Sequence, residues 1–360
     1  MNNENSTPLV VLNMKKLRDN FRTLSECLPS VKIHYAIKAL YDETVIDCLK
    51  LCGCNFDVAT TGEIKILKKL NVNAETCIHT HPIKKDKDIK DALDFGITTF
   101  VVDNITELQK FNKYKHVAKI LLRVSFRSKT AKVDLSKKFG CDYDAANNLL
   151  DQAKELGINV VGLSFHVGSQ TKNPDDHVNA INKCIVLMEQ NPQLKVLDIG
   201  GGFPALYDDT DMDIKTFCEP IRIALERAPS GSTLLCEPGR YMVANIGKAY
   251  MTVVGMAVRD GVRWLYVDDG VYGTFSGKIY DHVNYIVKKD TSQQAEKYPL
   301  IKCVIAGPTC DSIDVIQEEA ELPADVKVGD ILYSNNVGAY TIASSCTFNS
   351  LPLPKIKYLW

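Results

Sequence analysis

No apolar run in the sequence approaches the roughly 18 residues needed to cross a bilayer. The opening MNNENSTPLVVLNMKK has neither a basic start nor a long apolar stretch, so neither a leader nor a span is expected and the cytoplasm is the expected location. Net charge is equally scarce. Against 44 acidic side chains stand 43 basic ones, a formal balance of -1, and no overall field argues for nucleic acid or a membrane surface. A small-molecule partner fits better. The 12 cysteines lack paired zinc-type spacing, and the close pair Cys52-Gly53-Cys54 matches neither a redox motif nor a zinc knuckle. They are expected to be reduced and, for the most part, to pack as small apolar residues. Low-complexity segments are missing too.

What is present is a 360-residue chain, 45% apolar, long enough for a large core and for two domains. Short β-branched runs alternate with amphipathic stretches, the pattern of repeated βα units. Strands are expected at Ile33–Lys38, Asn55–Ala59, Thr76–His81, Thr98–Asp103, Lys119–Ser125, Val160–His166, Lys195–Gly200 and Thr233–Glu237. Helices are expected at Thr61–Leu70, Asp86–Phe95, Asp142–Leu156 and Pro174–Glu189, where apolar residues recur three and four apart. This α/β pattern points to a (β/α)8 barrel over residues 14–243. After Arg240 the texture changes to strand-like runs at Ala249–Arg259, Trp264–Asp268, Leu300–Ala306 and Asp330–Ser334, separated by Gly, Pro and Asp clusters. Residues 244–360 read as a mostly β second domain, which residues 1–13 could join through a strand at Pro8–Leu12.

In such a barrel the loops at the C-terminal ends of the strands form the open mouth. Lys38, Asp57, His81, Arg123, His166, Gly200 and Glu237 all fall at or near expected strand ends. Each taken singly reads as a solvated loop residue; their joint placement points to a site. Lys38 ends His-Tyr-Ala-Ile-Lys, whose apolar neighbours would desolvate an ammonium and ready it for Schiff-base chemistry, unless it simply lifts into solvent. Asp198-Ile-Gly-Gly-Gly-Phe-Pro closes the seventh strand and offers bare amides to an anion, although a tight turn explains it as well. Barrel phosphates often bind after strands seven and eight. The eighth strand ends in Cys-Glu237-Pro-Gly-Arg240, and an arginine there can grip phosphate oxygens with two N–H groups. His166 could stack on a flat ring or sit as a satisfied core histidine. Further along, Gly-Pro-Thr-Cys310-Asp311 puts a thiol and a carboxylate after a turn.

The stretches HYAIKA, NFDVAT with GEI, LLRV, KFG, SFHVGSQ, DIGGGFP, CEPGRY, DDGVYGTF, IYDH, GPTCDS and GAYT occur in this order. Together they resemble the ornithine decarboxylase group of fold-type-III pyridoxal-phosphate enzymes, over essentially the whole chain. The resemblance implies an alanine-racemase-like barrel with pyridoxal 5'-phosphate as cofactor, carried by Lys38. It implies that Ser169, Gly201, Gly202, Arg240 and Tyr340 hold the phosphate, that His166 stacks on the ring, and that Asp57, Glu63 and Arg123 support Lys38. Glu237 would face the pyridine nitrogen and keep it protonated, which strengthens the electron sink and favours decarboxylation. Alanine racemases place an arginine there. Cys310 would return the proton to Cα, reaching the site with Asp311 from the opposite subunit of a homodimer. An intersubunit pair of Lys138 with Asp314, near Tyr272, is also implied. Asp281 beside Tyr280, together with Asp311 and Phe348, would meet the substrate, with ornithine favoured over lysine, arginine or dual ornithine/lysine specificity. The degradation tail of the animal enzymes has no counterpart after Phe348, so regulation through it is not expected.

Two rivals remain. His79-Thr-His81 puts two imidazoles on one strand face, as in a metal-dependent barrel hydrolase, but that leaves the lysine, glycine and Glu-Pro-Gly-Arg segments unexplained. A catalytically inactive regulatory homologue would be expected to have lost residues such as Lys38, His166, Glu237, Arg240 or Cys310, all of which are present.

Overall fold

The computed structural model describes residues 6–126, 137–207, 211–290 and 298–360. The chain divides into two compact units, one running Arg18–Met242 and the other formed by the segment up to Leu17 with Val243–Trp360. Numbering strands along the chain, β1 (Leu9–Asn13) belongs to the second unit. The first holds β2 (Val31–Ala36), β3 (Asn55–Val58), β4 (Cys77–His79), β5 (Thr99–Val102), β6 (Lys119–Val124), β7 (Val160–Phe165), β8 (Val196–Asp198) and β9 (Thr233–Cys236). These pair in sequence order and β9 returns to β2, closing a parallel barrel.

Local chemistry sets the βα rhythm. Asp42, Thr60, Asn104 and Asp213 each accept a hydrogen bond from the first turn of the helix that follows, and such a cap contributes about 1 kcal/mol. Ile78, Val101, Leu121 and Leu235, from four different strands, pack as a buried cluster with Val161 and Val196 against it. Gly162 on β7 is required by packing, since a Cβ there would stand 2.1 Å from the Val196 carbonyl oxygen.

All eight expected barrel strands are found, and each ends one or two residues early. The run read as Ile33–Lys38 stops at Ala36, and a 3-10 turn at Ile37–Ala39 lifts Lys38 out of the sheet. The expected helix over 142–156 forms as Ala146–Glu155 behind a 3-10 turn.

In the second unit, β10 (Gly247–Arg259), β11 (Val262–Val267), β12 (Val287–Lys289), β13 (Leu300–Ala306), β14 (Val315–Pro323), β15 (Ile331–Asn335) and β16 (Lys355–Leu359) form a sheet with β1. β1 runs antiparallel to β10 and parallel to β16, so the N-terminal strand does join the C-terminal sheet. Three strands escaped the sequence reading. β12 is only three residues long, β14 carries adjacent exposed glutamates, and β16 alternates lysine with apolar residues in five positions. Among the described residues no helix is long and apolar enough to cross a membrane.

His79 is fully buried at the end of β4 with neither ring nitrogen hydrogen-bonded. Burial, reinforced by Lys84, lowers its pKa to about 4, and burial lowers that of His177 to about 4 as well. The unfolded chain binds these protons near the ordinary 6.5 and the native barrel does not, so stability is lost as pH falls from about 6.5 to about 4. The full interval is worth roughly 3 kcal/mol per ring. Urea midpoints should therefore drop steeply between pH 7 and pH 4.5, and His79→Leu should flatten part of that slope. An unchanged slope in the variant would contradict the assignment.

Candidate functional site

Lys38 ends up 42% exposed at its side chain, with Nζ 3.0 Å from Oδ2 of the buried Asp57. The expectation of an ammonium desolvated by its neighbours is thus corrected. The 3-10 turn carries the amine past the apolar strand, and a carboxylate meets it. The other oxygen of Asp57 accepts from the Thr80 hydroxyl at 2.5 Å. Glu63 lies in the first turn of the helix after β3. Its carboxylate accepts from the Ala59 amide at 2.5 Å while its own amide donates to Thr60 Oγ1. Burial, then the nearby Asp57, raises its pKa, partly opposed by Lys38 and the backbone donors.

The glycine triplet after β8 is dictated by close approach. A Cβ at Gly200 would meet the Phe165 carbonyl oxygen at 2.1 Å, one at Gly201 the Glu237 carbonyl oxygen at 2.7 Å, and one at Gly202 the Gly168 carbonyl oxygen at 2.5 Å. Gly200 and Gly202 also have left-handed φ of 65° and 98°. From behind, His177 Nε2 donates to the Gly201 carbonyl at 3.0 Å. Arg240, buried just after β9, donates from Nε and Nη2 to Ser169 Oγ (3.2 and 2.9 Å) and from Nη1 to the Tyr207 hydroxyl (2.9 Å).

His166 stands one residue beyond β7. Its Nδ1 accepts from the Gly168 amide at 3.0 Å. Burial foremost, then Arg123, Lys38 and His177, push its pKa well below the ordinary value, so the ring is neutral and its proton sits on Nε2. Glu237, one residue beyond β9, is buried. Burial first, then the charges of Asp198 and Asp57, hold its carboxyl well above the usual carboxylate range, with Lys38 pulling the other way. Arg123 on β6 lies 5.5 Å from the Phe139 ring centroid, and burial lowers its pKa against the pull of the neighbouring carboxyl groups.

The remaining expected residues lie in the second unit. The turn from Gly307 to Asp314 is tied by Asp314, which accepts from the Val271 amide (2.8 Å), the Thr309 amide (3.0 Å) and the Thr309 hydroxyl (2.7 Å). Asp314 is 2% exposed. Cys310 is exposed at the loop tip, its amide donating to Asn349 Oδ1 at 3.2 Å. Asp311 accepts from the Tyr272 hydroxyl at 2.5 Å and the Ile313 amide at 3.1 Å. The hydrogen bond to Asp311, more than burial, raises the Tyr272 phenol to about 12. Tyr272 stacks on Phe348, ring centroids 4.4 Å apart. Asp281 is buried after a helical turn, whereas its neighbour Tyr280 is exposed. Tyr340 holds a left-handed φ of 54°, uncommon for a bulky residue.

His79 and His81 do not make a metal face. β4 ends at His79, and His81 lies in the loop with Nδ1 accepting from the Ile83 amide at 3.1 Å. Among the described residues no group of three His, Cys, Asp or Glu side chains is placed to hold a metal. Sequence reasoning missed Thr80, Asp198, His177 and Tyr207. Asp198 adjoins the glycine triplet and could have been read with it; the other three carry no local signal.

Three comparisons bear on this arrangement. A family model described as pyridoxal-dependent decarboxylase, pyridoxal binding domain, matches residues 14–244. Ornithine decarboxylase of Mus musculus is 35% identical over 366 residues, covering 95% of this chain and 78% of the relative. Among solved structures, lysine/ornithine decarboxylase of Vibrio vulnificus complexed with putrescine superposes with a TM-score of 0.92 at 42% identity, covering 99% and 95% of the two chains. The Paramecium bursaria Chlorella virus arginine decarboxylase bound to agmatine gives 0.93 at 29% identity, with 99% and 97% coverage.

The His166 geometry has a direct check. Nitrogen-15 spectra of imidazole-labelled protein should show a neutral, Nε2-protonated ring from pH 8 down through pH 6. A titration near the ordinary value of about 6.5 would contradict it.

Proposed function

The chain belongs to the pyridoxal-dependent decarboxylases of basic amino acids, and from that premise we propose that it is a cytoplasmic, homodimeric ornithine decarboxylase, releasing CO2 from L-ornithine to leave putrescine. Its cofactor is pyridoxal 5'-phosphate. The residues suit that group. A glycine triplet that no Cβ could enter, with Ser169 and the buried Arg240 beside it, offers donors to a phosphate. Lys38 provides the amine for the aldehyde, positioned by Asp57.

When bound, the cofactor supplies an electron sink for the pair left on Cα as CO2 departs. Glu237 would hold a proton at the ring nitrogen, and that buried carboxyl just beyond β9, kept above the usual carboxylate range, is the observation that carries the decarboxylase reading. His166, neutral, would offer a flat face to the ring without adding a competing charge. Arg123 compensates the carboxylates around Lys38, and Glu63 fixes the loop after β3 through the Ala59 amide. Cys310, presented at an exposed loop tip, returns a proton to Cα in the site of the opposite subunit, and Asp311 travels with it. Asp281 and Asp311 bind the distal ammonium, with Phe348 and Tyr280 flanking. The exposed Ile313, Phe348 and Tyr280 around this loop favour burial against a second copy. A second reading, dual ornithine and lysine activity, is favoured by the 42% identity to the Vibrio vulnificus lysine/ornithine enzyme.

CO2 release should rank ornithine above lysine, and one methylene sets the ratio at roughly 10–200-fold. Lys38→Ala should abolish release. Arginine equal to ornithine would overturn the substrate assignment, and near-equal rates for lysine would favour the dual reading. Mixing Lys38→Ala with Cys310→Ala subunits should restore about a quarter of the activity, since half of randomly exchanged dimers carry one intact site of two. No recovery despite demonstrated exchange would overturn the shared site.

A further inference from the structure

His177 lies on the helix Asp175–Gln190 and is fully buried. Phe165, Phe203 and Phe217 surround it, with ring centroids 6.3, 5.4 and 5.6 Å away. A phenyl ring would suit that apolar nest better, because Nδ1 finds no partner there and an unsatisfied buried nitrogen is a cost. What the imidazole adds is its other nitrogen, whose N–H meets the Gly201 carbonyl at 3.0 Å. That bond completes a set. The Gly200 carbonyl accepts from the Glu237 amide at 2.7 Å, and the Gly202 carbonyl accepts from the Thr171 amide at 3.0 Å. All three peptides are trans, and in a trans peptide the N–H points opposite to the C=O. Each following amide, of Gly201, Gly202 and Phe203, is thereby turned away from the anchor of its carbonyl. Among the described residues none of these three amides has an acceptor. Two of the planes are held by backbone, and the middle one by a side chain. That plane needs an anchor most, since a peptide between two glycines has no Cβ to resist its flipping.

We propose that His177 is a positioning residue for the cofactor phosphate: its hold on the Gly201 carbonyl fixes the Gly201–Gly202 peptide plane, so that the Gly202 amide is presented to the anion. The inference rests on the proposed cofactor site and deepens it. His177 touches neither cofactor nor substrate in this role, and no proton moves. A neutral ring suffices, and burial keeps the ring neutral.

Comparing the cofactor with its phosphate-free form separates this role from packing. Cofactor-free wild type, His177→Phe and His177→Gln are each titrated with pyridoxal 5'-phosphate and with pyridoxal. Phenylalanine keeps the aromatic ring and removes the donor, whereas the glutamine side-chain amide returns an N–H near the position of Nε2. His177→Phe should lose about tenfold in affinity for pyridoxal 5'-phosphate with its affinity for pyridoxal unchanged, and His177→Gln should recover most of that loss. A loss shared equally by the two ligands, or no loss, overturns the proposal. A second measurement needs no variant. Nitrogen-15 spectra of imidazole-labelled wild-type holoprotein should show His177 protonated at Nε2 and bare at Nδ1. The reverse tautomer cannot donate to the carbonyl and overturns the proposal equally. Wild type that binds pyridoxal 5'-phosphate no more tightly than pyridoxal would sink the phosphate-site reading and this inference together. Phosphate-selective binding by wild type, matched by equally selective binding in His177→Phe, sinks the inference while the site reading stands.

Discussion

Asp57 is 2% exposed, and its two oxygens are taken by the Thr80 hydroxyl and the Lys38 ammonium. A buried carboxylate needs such partners, because removing one leaves an uncompensated charge that costs several kcal/mol. The arrangement at the barrel mouth follows from meeting that need. The chain leaves β2 early into a 3-10 turn so that the amine can arrive from above the strand. Lys84 makes the contrast. It too sits beside a strand end, but it is buried against Glu107 and donates to the carbonyls of His81, Pro82 and Val101. Every proton of that ammonium has a structural use, whereas Lys38 keeps a side chain 42% exposed and an amine that chemistry can reach.

The second constraint is steric. The triplet at Gly200, Gly201 and Gly202 lies against carbonyl oxygens at distances no Cβ could tolerate, so the loop after β8 is pressed onto the loops after β7 and β9. The same closeness brings His166 and Glu237 to one mouth, with Asp198 below the triplet. Asp198 also turns the glycine loop, accepting from the Gly200 amide.

Much of this was legible in the sequence because barrel strands are short, apolar and punctuated by capping residues, and because functional residues sit where strands stop. The eight barrel strands could be read from that pattern alone. Lys38, His166 and Glu237 fall beyond the observed strand ends. What was not legible depends on contacts distant in sequence. Tyr207 gains meaning from Arg240, His177 from the Gly201 carbonyl and Thr80 from Asp57, and no local pattern announces such a pairing. The desolvated Lys38 expected from its apolar neighbours failed for a similar reason, since the carboxylate that meets it lies nineteen residues away. In the β unit, short or lysine-alternating strands carry too little apolar signal to separate from loops.

The central claim is that Lys38, held by Asp57, is the amine that takes the cofactor aldehyde. Reduction of the holoprotein with borohydride, followed by mass analysis of its peptides, tests it most directly. A single pyridoxyl-phosphate adduct on the peptide bearing Lys38 is the expected result. An adduct on Lys84 or another lysine, or no covalent adduct from cofactor-loaded protein, would contradict the account.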